Sequence, residues 1–168
     1  MPAKFGSIKR ASVINDPSSS NRRLSLYVVS EDNNGNFQTS NDTLKQNVKT
    51  WLNRNKMLND SIDIYDPYII NIGFTFFVSV DSSYDKQVVL NDCFSRLNSM
   101  FEEKMYIGEP LYIANIYKEL NKLEGVIDVQ NVVFKIQNAA NYASSPISIQ
   151  ELLSNDGTFL KTPKNAIL

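Results

Sequence analysis

The stretch INIGFTFFVSV, residues 70–80, alternates apolar and polar or small side chains, and it decides the fold class. Phe77 is the only large apolar residue in the polar row. Because successive side chains of a strand point to opposite faces, this period of two predicts a β-strand with one face in the core and the other in contact with water. The apolar row consists of Ile70, Ile72, Phe74, Phe76, Val78 and Val80.

Four further segments have strand character. Ile8–Ile14 and Leu24–Ser30 are rich in β-branched and apolar residues, and the turn formers of residues 15–21 lie between them. This arrangement predicts an antiparallel pair. A short extended piece at Ile62–Tyr65 and an alternating stretch at Val126–Gln137 complete the strands.

Three segments change to helical spacing of apolar residues: 40–58, 84–104 and 110–123. Ser40, Asn41 and Asp42 are candidate caps for the first, and Pro110 is a suitable start for the third. The order β-β-α-β-α-α-β predicts an α+β two-layer sandwich. We expect a mixed sheet of about four strands with three amphipathic helices packed on one face.

The chain has 168 residues, a length that suits one domain with its own core. We expect a single α+β domain over residues 4–140 and a C-terminal extension or arm over 141–168, in which 158–168 is extended. Residues 147–153 form a short strand or a turn of helix in this interpretation.

Composition narrows the class of protein. No run approaches the roughly 18 apolar residues of a membrane span, the first residues lack a signal-peptide pattern, and one cysteine cannot form an internal disulfide. We therefore expect an intracellular product without a membrane partner. The net charge is -1 and the basic residues are dispersed, which argues against a nucleic-acid partner.

The residues indicate no enzyme. The chain contains no histidine, which removes the commonest general base and metal ligand. Cys93 shares an apolar stripe with Leu90 and Leu97, so a buried core thiol is favoured over a nucleophile. We expect no catalytic residue, cofactor or small-molecule substrate.

Two acidic patterns were weighed as metal sites. Asp60, Asp63 and Asp66 flank a strand-like piece, where a spacing of three does not align side chains on one face. Residues 32–36 resemble the start of a calcium loop, but Thr43 stands where the closing glutamate is needed, so a tight turn is favoured. We expect no metal.

Two basic pairs leave two interpretations open. Lys9-Arg10 and Arg22-Arg23 are the only clustered basic residues of the chain. They either contact an acidic partner or protect a solvated strand edge by charge, and the second interpretation is favoured.

Seven stretches in order resemble the C-terminal part of baseplate wedge proteins of contractile-tailed phages, the baseplate J-like family. The likeness runs over nearly the whole chain. It rests on FGSIKRA (5–11), LYVVSED (26–32), LKQNVKTWL (44–52), IDIYD (62–66), YIGEPLY (106–112), EGVIDV (124–129) and DGTFLKTPKN (156–165).

This resemblance implies a structural role. Such subunits pair and join other wedge proteins in a ring around the hub, beneath the sheath, and the ring rearranges when the tail contracts. The implied partners are other baseplate wedge subunits, with a homodimer or higher oligomer of the chain itself. The implied location is the virion tail baseplate, assembled in the host cytoplasm.

The candidate contact residues are apolar or aromatic side chains on the wetter sheet face and in the tail: Tyr27, Phe77, Phe159, Leu160, Ile167 and Leu168. We expect either the arm at Leu160–Leu168 or the strand edge at Ile8–Ile14 to dock on another subunit.

The main alternative is a ferredoxin-like ligand-binding or regulatory module with an apolar pocket. A third interpretation has Tyr27 and Phe77 stacking on RNA bases, and the near-neutral charge argues against it.

Overall fold

The computed structural model describes residues 8–15, 23–32, 35–57, 61–102, 105–137 and 147–168. The helices are α1 (Asp42–Asn53), α2 (Lys86–Glu102), α3 (Ile113–Leu120) and α4 (Ile149–Leu152). The strands are β1 (Arg10–Asn15), β2 (Arg23–Glu31), β3 (Phe37–Thr39), β4 (Ser61–Tyr65), β5 (Tyr68–Ile69), β6 (Ile72–Val80), β7 (Leu111–Tyr112), β8 (Val126–Ile136), β9 (Phe159–Leu160) and β10 (Ala166–Ile167).

The described residues group into two compact units. Unit one holds the chain up to Ile69 together with Tyr106–Gly108 and Pro163–Ile167, and unit two holds Ile70–Met105, Glu109–Thr162 and Leu168. Residues on both sides of position 140 contribute to each unit. The predicted boundary at 140 therefore does not coincide with a division between these units.

The sheet of unit one is built around β2. β1 pairs with β2 antiparallel along its length, from Arg10 opposite Val29 to Asn15 opposite Leu24. On its opposite edge β2 pairs antiparallel with β3 through Val29–Glu31 and parallel with β4 through Arg23–Tyr27. The antiparallel first pair is as predicted, and the sheet is mixed with four strands, but its members differ from the prediction because β6 and β8 form a separate ribbon. The short strand β3 was missed.

Helix α1 covers this sheet with an apolar stripe. Val48 of α1 is buried against Leu26 and Val28 of β2. The side-chain oxygen of Asn41 accepts a hydrogen bond from the backbone N–H of Thr43 at 2.9 Å, which caps the helix where the sequence predicts a cap. The surrounding half-buried side chains are Ile8, Leu44, Leu52, Ile62 and Ile64.

Pro163–Ile167, near the end of the chain, belong to unit one. β10 runs parallel to β5, and Ala166 and Ile167 are fully buried. The N–H of Gly108 donates to the Ala166 carbonyl at 2.8 Å, and the N–H of Tyr68 donates to the Asn165 carbonyl at 2.9 Å. An extended arm was predicted for residues 158–168, but β9 and β10 within it pair with β7 and β5, so the segment is packed on its own chain.

Unit two contains an antiparallel ribbon of β6 and β8, in which Phe74 lies opposite Phe134. The apolar row of β6 faces α2. The ring centroid of Phe74 lies 5.8 Å from that of Phe101, and the centroid of Phe76 lies 5.5 Å from that of Phe94. The predicted strand is confirmed. Its apolar row is half-buried from Ile72 onward, and only Ile70, just before the strand, is buried.

Helices α2 and α3 pack together in unit two through buried stripes and an ion pair. Nε of Arg96 donates to the Glu119 carboxylate at 2.8 Å, and Arg96 Nη2 donates to the same oxygen. Lys122 Nζ donates to the other carboxylate oxygen at 2.7 Å. The stripes consist of Val89, Cys93 and Leu97 on α2 and Ile113, Ile116 and Leu120 on α3.

The α+β class is confirmed, with its helices shared between two sheets. α1 packs on the four-stranded sheet of unit one, whereas α2 and α3 belong to unit two. The third helix begins at Ile113, not at Pro110, because Leu111 and Tyr112 form β7 and pair with β9. The predicted arrangement of three helices on one sheet face is therefore divided between the units.

The backbone of Gly125 is closely packed against other residues of unit two. Its φ of 84° lies in the left-handed region, and an added Cβ would lie 2.8 Å from Val89 Cγ2 and 2.9 Å from Tyr84 Cγ. Gly157 has a φ of 69°, and a Cβ there would meet nothing within 4 Å. Gly125→Ala should lower the free energy of unfolding by about 2–4 kcal/mol, and Gly157→Ala by about 1–2 kcal/mol. Urea unfolding measures both; equal losses would contradict the close packing at Gly125.

The ionisation of Glu119 should make the stability of unit two depend on pH. Hydrogen bonds from Lys122 and then Arg96 hold the pKa of Glu119 below its ordinary value of 4.5. A depressed carboxyl pKa stabilises the fold above the unfolded value, and this contribution is lost as pH falls through the folded pKa. At pH 7 the urea concentration at the unfolding midpoint should therefore be higher for wild type than for Glu119→Gln. This difference between the two midpoints should disappear as the pH falls below 4.5. Glu124→Gln, at an exposed position, is the matched control; a gap independent of pH would contradict the prediction.

Candidate protein-interaction surface

The ribbon of unit two presents one face that carries exposed apolar side chains. We call this the outer face and define it by the exposed alternate residues Thr75, Phe77, Asn131, Val133 and Lys135. Phe77 is 51% exposed and Val133 is 39% exposed. Thr75 lies opposite Val133 and Phe77 opposite Asn131, so Phe77 and Val133 are diagonal neighbours across the two strands.

The outer face is nearly uncharged, because Lys135 is its only ionic side chain. Beside it, Nε2 of Gln130 donates to Ser79 Oγ at 2.7 Å and links the two strands. The pairing register shifts between Phe77 and Val78 and again between Ser79 and Val80. Such β-bulges increase the local twist of the strands. The outer face thus combines exposed apolar groups with a single charged side chain, and such a surface suits contact with another protein.

The predicted contact residues on the sheets lie in different units. Phe77 belongs to unit two and is exposed, as its break in the polar row predicts. Tyr27 belongs to unit one, where it is half-buried and its ring centroid lies 5.7 Å from that of Tyr65. Sequence reasoning missed Val133, although the consecutive apolar pair Val132-Val133 breaks its polar row as Phe77 does in β6.

The predicted contact residues in the tail are mostly packed inside the chain. Leu160 is fully buried, pairs with Leu111 and forms a bridge with Leu153. Ile167 is fully buried in β10. These two cannot dock on another subunit without leaving their own core, so the docking arm at Leu160–Leu168 is not what the structure contains. The half-buried members of this set are Phe159, whose ring centroid lies 5.6 Å from that of Tyr112, and Leu168.

The second predicted docking position, the strand at Ile8–Ile14, forms the β1 edge and carries engaged basic side chains. Lys9 Nζ lies 2.7 Å from a Glu31 carboxylate oxygen, and the Arg10 guanidinium lies 4.8 Å from the centre of the Tyr106 ring. Arg23 Nε lies 3.7 Å from Asp63, and Arg22 lies outside the described residues. Lys9 and Arg10 thus place charge at the β1 edge, whereas Arg23 lies on the central strand β2.

Cys93 is a buried thiol, as predicted. It lies in the middle of α2 and is fully buried. Burial raises the pKa of Cys93, and the charge of Asp92 raises it further. A thiol held in its neutral form within the core is a poor nucleophile.

The acidic residues that were weighed as metal ligands form ion pairs. Asp66 accepts hydrogen bonds from the Ser40 N–H at 3.0 Å and from Lys45 Nζ at 2.5 Å, and the bond to Asp66 is the main cause that raises the pKa of Lys45. Asp63 lies 3.9 Å from Lys49 Nζ, and Asp60 lies outside the described residues. In the part of the chain that the structure describes, no group of three or more His, Cys, Asp or Glu side chains could hold a metal ion.

Asp32, which begins the sequence that resembles a calcium loop, accepts hydrogen bonds from Gly35 and Asn36. The Gly35 N–H donates to the Asp32 carbonyl at 3.0 Å, and the Asn36 N–H donates to the Asp32 carboxylate at 2.7 Å. Gly35 has a φ of 84°, a conformation that glycine adopts readily. The carboxylate of Asp32 is thereby used to close the turn.

An open depression of 650 Å³ lies in unit one beside the first turn of α1. Its lining is mainly polar, whereas the ligand-binding alternative predicts an apolar pocket. Ser30 and Ser40 share a hydroxyl hydrogen bond of 2.9 Å there. The lining residues are Ser30, Gln38, Thr39, Ser40, Asn41, Asp42, Leu44, Lys45 and Asp66.

Comparison of the sequence with known proteins does not assign the chain to a family. No protein-family model matches the chain, and no curated protein matches it either. The resemblance to baseplate wedge proteins therefore stays a prediction. Within the described ranges, no helix has both the length and the apolar character needed to cross a membrane.

The reactivity of Cys93 can be measured directly. An aromatic disulfide reagent should label native Cys93 at least about 100-fold more slowly than the unfolded chain, because reaction requires opening of the core around α2. Ser95, on the exposed side of the same helix, gives the matched control: Cys93→Ser/Ser95→Cys should label rapidly in the native state. Equal rates for the two native proteins would show that Cys93 is accessible.

Proposed function

We propose that this chain is a structural subunit of a phage tail baseplate wedge, which joins other wedge subunits in a ring-like assembly linked to sheath contraction. The observation that carries the proposal is the outer face of the β6–β8 ribbon, where Phe77 and Val133 are exposed beside each other. The sequence resemblance supports the kind of assembly, and the outer face supports protein–protein contact as the means.

The energetics of the outer face favour a protein partner. Burying apolar surface contributes about 25 cal/mol per Å², so covering an exposed aromatic ring is favourable. Aromatic residues in a neutral interface core commonly supply much of the binding energy. The outer face offers one cation, Lys135, whereas binding to nucleic acid depends on several phosphate contacts.

The test is co-purification with products of the neighbouring genes, which should encode sheath, tube and baseplate proteins. Wild type should form a stable complex with a wedge protein from this set. Phe77→Asp should weaken the complex at least about tenfold, because a buried unpaired carboxylate costs more than 1.4 kcal/mol. Tyr68→Asp is the matched control, since Tyr68 is a 52% exposed aromatic strand residue of unit one that lies outside every candidate contact surface.

Two outcomes would count against the proposal. Failure of wild type to bind any tail or baseplate product would remove the baseplate role. An unchanged affinity of Phe77→Asp, with the fold retained by circular dichroism, would remove the outer face as the contact surface.

A further inference from the structure

The hydrogen bonds of the ribbon show which backbone groups of β6 point away from β8. In an antiparallel pair, residues alternate between those that bond to the partner strand and those whose N–H and C=O groups point to the other edge. The Val132 N–H donates to the Tyr117 hydroxyl at 3.1 Å, so it points away from β6. Its partner Phe76 therefore directs its own backbone groups away from β8.

A hydrogen bond at the other end of the ribbon leads to the same assignment of inward and outward backbone groups. The Gln137 N–H donates to the Asn71 carbonyl at 2.8 Å, so this pair bonds across the ribbon. Counting from Asn71, the residues that point outward are Ile72, Phe74 and Phe76, whereas Gly73 and Thr75 bond to β8. Two independent bonds thus agree on the outward set.

The edge of β6 that these residues form carries no strand among the described residues. β6 pairs with β8 alone, whereas β2 is paired along both edges. From Ile72 to Val80 the strand contains no charged residue and no proline. Exposed edges of monomeric proteins usually carry such residues, because they block pairing with another chain.

A row of phenylalanine rings borders the same edge. Phe74 and Phe76 point toward α2 and are half-buried, and Phe94 of α2 is 51% exposed although it contacts the Phe76 ring. Phe101 completes the row beside Phe74. A strand added to β6 would satisfy the outward backbone groups and lie beside Phe74 and Phe76.

We propose that β6 pairs with β6 of a second copy of this chain, antiparallel and centred on Phe74. In this register Phe74 lies opposite Phe74 of the second copy, and Ile72 lies opposite Phe76. Each outward donor then meets an outward acceptor, because a two-fold axis makes the edge complementary to itself. The result is a continuous four-stranded sheet.

Charge explains why a second copy is the occupant. Two-fold pairing brings each residue near its own counterpart, so any ionic side chain in the middle of the strand would meet a like charge. β6 contains none. The inference deepens the proposed structural role and rests on it, but it uses the edge of β6 and not the outer face.

The experiment measures mass and backbone protection together. Sedimentation over about a hundredfold range of concentration should show a monomer that becomes a dimer. Amide exchange followed by NMR should slow with concentration at Ile72, Phe74 and Phe76. The amides of Gly73 and Thr75 should be protected at every concentration, since they bond to β8 within one chain.

Thr75→Lys provides the disrupting variant. Thr75 is exposed and its side chain is not part of the core, so the fold should be kept. In the proposed register the two introduced lysines are diagonal neighbours, and dimer affinity should fall at least about tenfold. Val133→Lys is the matched control, because it places the same charge on the same face but one strand away from the edge. It should leave the dimer intact.

Three outcomes would overturn the proposal: a monomer at all concentrations, a dimer unaffected by Thr75→Lys, or exchange at Ile72, Phe74 and Phe76 that does not respond to concentration. The proposed function can be judged separately. A monomer that still binds a wedge protein through Phe77 refutes only the edge pairing. A dimer that binds no baseplate product refutes only the baseplate role.

Discussion

A strand must find hydrogen-bond partners for the backbone groups on both of its edges, and this requirement organises each unit of the chain. In unit one β2 meets it fully, with β1 along one edge and β3 and β4 sharing the other. In unit two β6 meets it along one edge only, within the described residues. The first strand is therefore the centre of a core, whereas the second has one edge without a partner strand in the described part of the chain.

Periodicity in the sequence predicted the elements that are long enough to show it. The alternation around Phe74 gave β6, the run around Val28 gave β2, and the stripe through Val48 gave α1. Periodicity does not state which sheet a helix covers, since an apolar stripe fits any apolar face. The division of the helices between two units could not be read for that reason.

The tail shows why the candidate site was only partly predictable. Strands of two residues, such as the one containing Ile167, have no period to detect, and their partners lie far away in sequence. The sequence predicts Leu160 and Ile167 as contact residues, because apolar side chains in a polar tail suggest an external partner. The structure shows that the partner is the same chain. Phe77 was predictable because it breaks a polar row inside a clear strand.

β1 and β6 each have an edge without a partner strand in the described part of the chain, and the side chains along these two edges differ. β1 begins with Arg10 behind Lys9, and both cations are held, one over the Tyr106 ring and the other by Glu31. A strand that approached β1 would have to displace or bury these charges, which is costly. β6 presents only uncharged side chains and half-buried phenylalanines to an approaching strand. The uncharged edge of β6 therefore fits the proposed pairing, whereas the cations at β1 oppose pairing there.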